Sequence, residues 1–122
     1  MLEITDKNEL DEFLKQEFAV LFYDADWSMY AVISKQMIAF VEQQALQAKL
    51  DVSFYYGQFE QERVSLVDAL VAAGVSGDVV SRGSGSLSFF RRGKHMTTMV
   101  SVVGEGTWAV WREFQKAFGM RP

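Results

Sequence analysis

Six consecutive apolar residues, Phe18-Ala19-Val20-Leu21-Phe22-Tyr23, constrain this chain more than any other stretch. A continuous apolar run of that length is the pattern of a strand buried on both faces. Its sheet needs a packed layer on each side, and the flanking sequence supplies helices for both. Upstream, Asp6-Lys7-Asn8-Glu9 carries the D-x-x-E pattern of a helix start. Leu10, Phe13 and Leu14 follow at i, i+3, i+4 spacing. Downstream, residues 29–48 predict a long helix with Ile33, Met37, Phe40, Val41 and Ala45 among its apolar positions.

The rest of the chain continues the alternation. Val52-Ser53-Phe54-Tyr55-Tyr56 predicts a second strand. Residues 62–73 predict a helix with Val64, Val67, Leu70 and Val71 on one side, ended by Gly74. The Gly- and Ser-rich stretch 77–86 reads as a loop. Residues 87–90 and 96–103 read as a hairpin around Arg91-Arg92-Gly93-Lys94. Trp108, Trp111, Phe114 and Phe118 lie at helical spacing and read as a core stripe. The order α-β-α-β-α-β-β-α predicts one α/β domain over residues 1–122. Its mixed central sheet has four to five strands, with helices on both faces. The first strands are parallel, and an antiparallel hairpin precedes the last helix.

Composition removes several function classes. Apolar residues make up 49% of 122, enough for a core without metals or disulfides. There is no cysteine, which rules out disulfides, thiolate nucleophiles and Cys-based zinc sites. One histidine, His95, argues against a His-based metal site, and no cofactor is expected. A net charge of −4 argues against nucleic acid as a partner. No apolar run reaches membrane-spanning length, and no secretory leader is expected, so a cytoplasmic location is anticipated.

The order of elements, together with a strand leading through Trp27 into a helix, resembles the thioredoxin family along nearly the whole chain. The family motif Trp-Cys-Gly-Pro-Cys falls on Trp27-Ser28-Met29-Tyr30-Ala31. The stretch holding the family's cis-proline resembles Arg82-Gly83-Ser84-Gly85-Ser86, and the glycine of the last active-site loop matches Gly104. The departures remove the family's chemistry. Both redox cysteines are replaced, by Ser28 and Ala31; Gly85 stands at the cis-proline position; Phe22 stands at the buried proton-relay acid. The resemblance therefore implies a redox-inactive member. Such members of the family include hydrogenase-maturation chaperones and a spliceosomal thioredoxin-like protein.

These residues point to a non-catalytic module that binds another protein or a peptide, as a chaperone or assembly factor. Trp27, Ser28, Met29, Tyr30, Ser84, Gly85 and Gly104 are the expected partner-binding residues, since the resemblance brings their three segments to one end of the fold. No catalytic residue is assigned. Ser28 is expected to cap the helix that follows it. Asp24 and Asp26 are expected to be solvated at a strand end. Gly85 implies a looser loop than a cis-proline would give. Arg91, Arg92 and Lys94 form a secondary basic patch. Two alternatives stand beside this reading. One is a non-redox enzyme using Ser28, Asp24 or Asp26; the other is a structural subunit that forms a homodimer through its apolar patch.

Overall fold

The computed structural model describes residues 1–25, 28–59, 64–100 and 102–119. Five strands form one sheet in the order β1-β3-β2-β4-β5. They are β1 (Leu2–Glu3), β2 (Phe18–Tyr23), β3 (Ser53–Gly57), β4 (Leu87–Arg91) and β5 (Lys94–Met99). Strand β2 lies at the centre, as its unbroken apolar run requires. It pairs in parallel with β3, from Ala19 opposite Ser53 to Tyr23 opposite Gly57. On its other side it pairs antiparallel with β4, from Phe18 opposite Arg91 to Phe22 opposite Leu87. The final hairpin turns through Arg92 and Gly93, both at positive φ.

The alternation of β2 feeds two cores. Val20 and Phe22 point to the face covered by α2 (Met29–Gln47), α5 (Val102–Glu105) and α6 (Thr107–Ala117). Ala19, Leu21 and Tyr23 point to the face covered by α1 (Lys7–Leu14), α3 (Val64–Ala72) and α4 (Gly77–Arg82). Helix α1 starts as its sequence requires: the Asp6 carboxylate accepts from the Glu9 N–H at 2.8 Å. The mixed α/β sheet with helices on both faces is therefore as the sequence predicts.

Several local expectations are corrected. The stretch read as a loop contains α4, whose Val80 is buried and whose Val79 packs beside it. Six residues hold as a helix because tertiary burial compensates for poor Gly and Ser propensity. Helix α2 buries Ala31, Ser34, Ile38, Val41 and Ala45, while Ile33 and Phe40 stand in solvent. Small residues let the helix approach the sheet closely, so the buried face is not the bulkiest one. In α3, Leu66 and Leu70 are buried and Val71 is exposed; the side chain of Val64 lies outside the described residues. Strand β5 ends at Met99, and Val102 and Val103 belong to α5 instead. In α6, Val110 and Phe114 take the core, Trp111 and Phe118 flank them, and Trp108 is 72% exposed. That helix begins at Thr107, which puts Trp108 in its first turn and off the buried face.

Candidate functional site

Three chain segments converge at the C-terminal end of β2. Tyr23 N–H donates to the Ser86 carbonyl at 3.0 Å, and Gly85 N–H donates to the Tyr23 carbonyl at 2.8 Å. Val102 N–H reaches the Gly85 carbonyl at 3.3 Å, and Ser86 Oγ donates to the Val100 carbonyl at 2.8 Å. The loop that holds Gly85 is thus tied both to β2 and to the entry of α5. The looseness expected at Gly85 is not what the geometry gives: its φ of +87° suits glycine, and backbone hydrogen bonds fix the residue on both sides.

This convergence leaves a cleft of about 480 Å³, lined by Ser28, Tyr30, Ser84, Gly85, Val102 and Gly104 among others. The structure therefore gathers Ser28, Tyr30, Ser84, Gly85 and Gly104 into one place. Met29 does not line the cleft; it stands beside Tyr30 on the first turn of α2, and both side chains are 71% exposed. Trp27 and Asp26 lie outside the described residues. Ser34, Val100 and Val103 also line the cleft and were not singled out from sequence. Ser34 is legible only in hindsight: a serine on the buried face of a helix, its hydroxyl donating to the Tyr30 carbonyl at 2.7 Å.

Ser28 Oγ accepts from the Ala31 N–H at 3.3 Å, the capping role its position predicts. Among the described residues no base contacts it. His95 Nε2 is engaged elsewhere, on β5, at 2.7 Å from Thr98 Oγ1. Burial holds the His95 imidazole below its ordinary pKa, against a backbone hydrogen bond with Thr97.

Asp24 is not solvated as expected. It is 8% exposed, with Oδ1 accepting from Ala25 N–H at 2.9 Å and Oδ2 at 3.2 Å from Lys35 Nζ. Its partner comes from α2, eleven residues on, a pairing that no local pattern announces. The basic residues Arg91, Arg92 and Lys94 sit at the opposite end of the sheet, because Arg91 pairs with Phe18 at the start of β2. Arg92 lies 3.4 Å from Glu17, and the Arg91 guanidinium lies over the Phe18 ring. The cleft and the basic patch are therefore separate surfaces. Among the described residues no cluster of three or more acidic or histidine side chains could hold a metal ion. No helix among them is long and apolar enough to cross a membrane.

No protein-family model matches the chain, and no curated protein sequence matches it. Solved structures show the fold. The oxidised thioredoxin of Plasmodium falciparum superposes with a TM-score of 0.69 at 11% identity, covering 95% of this chain and 96% of that one. A mutant thioredoxin from Halobacterium salinarum gives 0.65 at 18% identity, covering 99% and 93%. Trxlp from Edwardsiella tarda gives 0.65 at 15% identity, covering 99% and 100%. The fold is the thioredoxin fold, carried by a chain with no cysteine; thiol–disulfide exchange through its own side chains is closed to it.

Proposed function

We propose that this chain is a non-catalytic module that binds another protein, as a chaperone or assembly factor acting in the cytoplasm. The observation that carries the reading is the cleft at the C-terminal end of β2, with the exposed Tyr30 at its rim. Tyr30 is large, rigid and amphipathic, the character of an interface anchor. Met29 beside it adapts its shape to a partner. Backbone hydrogen bonds from Gly85 to Tyr23 and from Val102 to Gly85 hold the wall of the cleft in a fixed shape, with Ser84 beside them. Such a surface suits an extended segment of a protein better than a buried small ligand. Ser28 supports the same reading, since its oxygen is spent on capping α2.

The test is affinity purification of the tagged chain from its native host, followed by mass spectrometry, with Tyr30→Ala in parallel. A partner that is captured by the parent chain and weakened by about 1–3 kcal/mol in the variant supports the reading. A partner retained equally by both chains removes the cleft rim from it.

A further inference from the structure

A second cleft, of about 540 Å³, opens beside α2 and is walled by Asp24, Val32, Lys35, Ala39 and Tyr56 among others. It shares no lining residue with the first. Lys35 Nζ sits 3.2 Å from Asp24 Oδ2 and 3.6 Å from the centre of the Tyr56 ring. The Asp24 side chain is 9% exposed, whereas that of Lys35 is 34% exposed. A desolvated carboxylate and the negative face of an aromatic ring both favour a cation at the point between them. Glu3 stands opposite Tyr56 across the β1–β3 pairing and adds a second carboxylate next to that residue.

The cation now at that point is the end of a flexible four-carbon stem. It is the more exposed member of its pair, with open cleft beside it. We propose that Asp24 and Tyr56 form a binding site for an external alkylammonium group, with Lys35 as the resident occupant that the incoming group displaces. The exchange keeps the charge balance of the site. One ammonium replaces another against Asp24, so the buried carboxylate is not left unpaired, and Lys35 is rehydrated as it swings into water. Val32 and Ala39 give the ligand's alkyl chain an apolar wall. Two sources carry this group, the lysine side chain of a protein and a free alkylamine. The site is independent of the role proposed for the first cleft.

The experiment is a titration with n-butylammonium chloride, followed by the backbone amide resonances of Ala25 and Tyr56. Lys35→Ala removes the resident cation and should tighten binding about tenfold over the parent chain. Asp24→Asn added to Lys35→Ala should reduce it to the level of neutral 1-butanol. Lys35→Met carries the same comparison if Lys35→Ala does not fold. A tripeptide capped at both ends, with one central lysine, separates the sources. Binding as tight as the amine assigns the site to a protein side chain, and binding of the amine alone assigns it to a small ligand. Equal affinity of the parent chain and the Lys35 variants overturns the proposal. So does 1-butanol binding as well as the amine, or Asp24→Asn without effect.

Discussion

The face of the sheet under α1, α3 and α4 closes over itself. Phe13 sets its ring edge-on to both Tyr55 and Phe90, and Leu10, Leu66 and Leu70 fill the space around them. Of the large apolar side chains on those three helices, only Val71 is exposed among the described residues. The face under α2, α5 and α6 has an equally dense interior, where Phe114 stacks with Phe54 and Trp111 and meets Phe118 edge-on. Its outer layer is different. Met29, Tyr30, Val32, Ile33, Phe40, Leu46 and Trp108 all stand in solvent. Both cores are complete without these residues, so the fold does not require their apolar character. In the reading proposed above, this layer is where a partner is met. The contrast is between two interiors that carry stability and one outer layer whose apolar residues the fold itself does not need.

The largest effect expected of a single substitution lies in the interior of the α2 and α6 face. Phe114 is fully buried and touches three other rings. Phe114→Ala should cost about 3–5 kcal/mol, read from urea unfolding. A loss below about 1 kcal/mol would mean that this face is loosely packed and that its exposed residues reflect a poor core rather than a surface for partners.

How far the sequence discloses this contrast depends on the element. The run Phe18–Tyr23 announced its own position, because a strand buried on both faces has no other pattern. In α2 the bulky apolar positions do not mark the buried face: Ile33 and Phe40 are exposed, while Ala31, Ser34 and Ala45 are buried. The helix at α4 was hidden by Gly77, Ser81 and Gly83, and only the pair Val79-Val80 hinted at it. The gathering of Ser28, Gly85 and Gly104 follows from the resemblance and not from any local pattern, because it depends on which loops β2 and β4 bring together. The burial of Asp24 depends on Lys35 in the same way.

The second effect in size concerns the closed face and a polar feature within it. Tyr23 Oη, Ser88 Oγ, Thr98 Oγ1 and His95 Nε2 form a chain with 2.7 Å at each link. Burial pushes the Tyr23 phenol well above its ordinary pKa, with the Ser88 hydrogen bond acting against that shift, so the phenol keeps its proton. With Tyr23 donating to Ser88, Ser88 to Thr98 and Thr98 to a neutral imidazole, every proton finds an acceptor. Ser88→Ala leaves the buried Tyr23 hydroxyl without its partner. It should cost about 1–3 kcal/mol by thermal unfolding. A neutral outcome would show that the polar chain is incidental to that face.

The same chain gives a pH dependence of smaller size. The folded His95 prefers the neutral form, so its pKa lies below that of the unfolded chain, about 6.5. The unfolded state then binds more protons between the two values, and stability rises with pH there. The His95 contribution is fully present above an unfolded-state pKa of about 6.5 and is lost as pH falls toward the lower folded value. Urea midpoints measured across that window should fall more in the parent chain than in His95→Gln. Parallel curves would remove His95 from the account.

The smallest expected effect returns to the open face. Phe40 lies on α2 with its side chain 47% exposed, one residue before the buried Val41. A side chain this exposed keeps in the fold much of the water contact it has in the unfolded chain, so folding gains little from burying it. Phe40→Ala should therefore change stability by no more than about 0.5 kcal/mol, and alanine's better helix propensity offsets part of any loss. Phe114→Ala on the same face supplies the contrast, since the two positions differ in burial and not in chemistry. A loss above about 1.5 kcal/mol at Phe40 would mean that something covers α2 in solution. Repeating the melt at two protein concentrations then decides what. A midpoint that rises with concentration in the parent chain and not in Phe40→Ala identifies the cover as a second copy, because only association makes stability depend on protomer concentration. A midpoint independent of concentration in both chains would place the cover within the chain itself, and the division between a closed and an open face would fail.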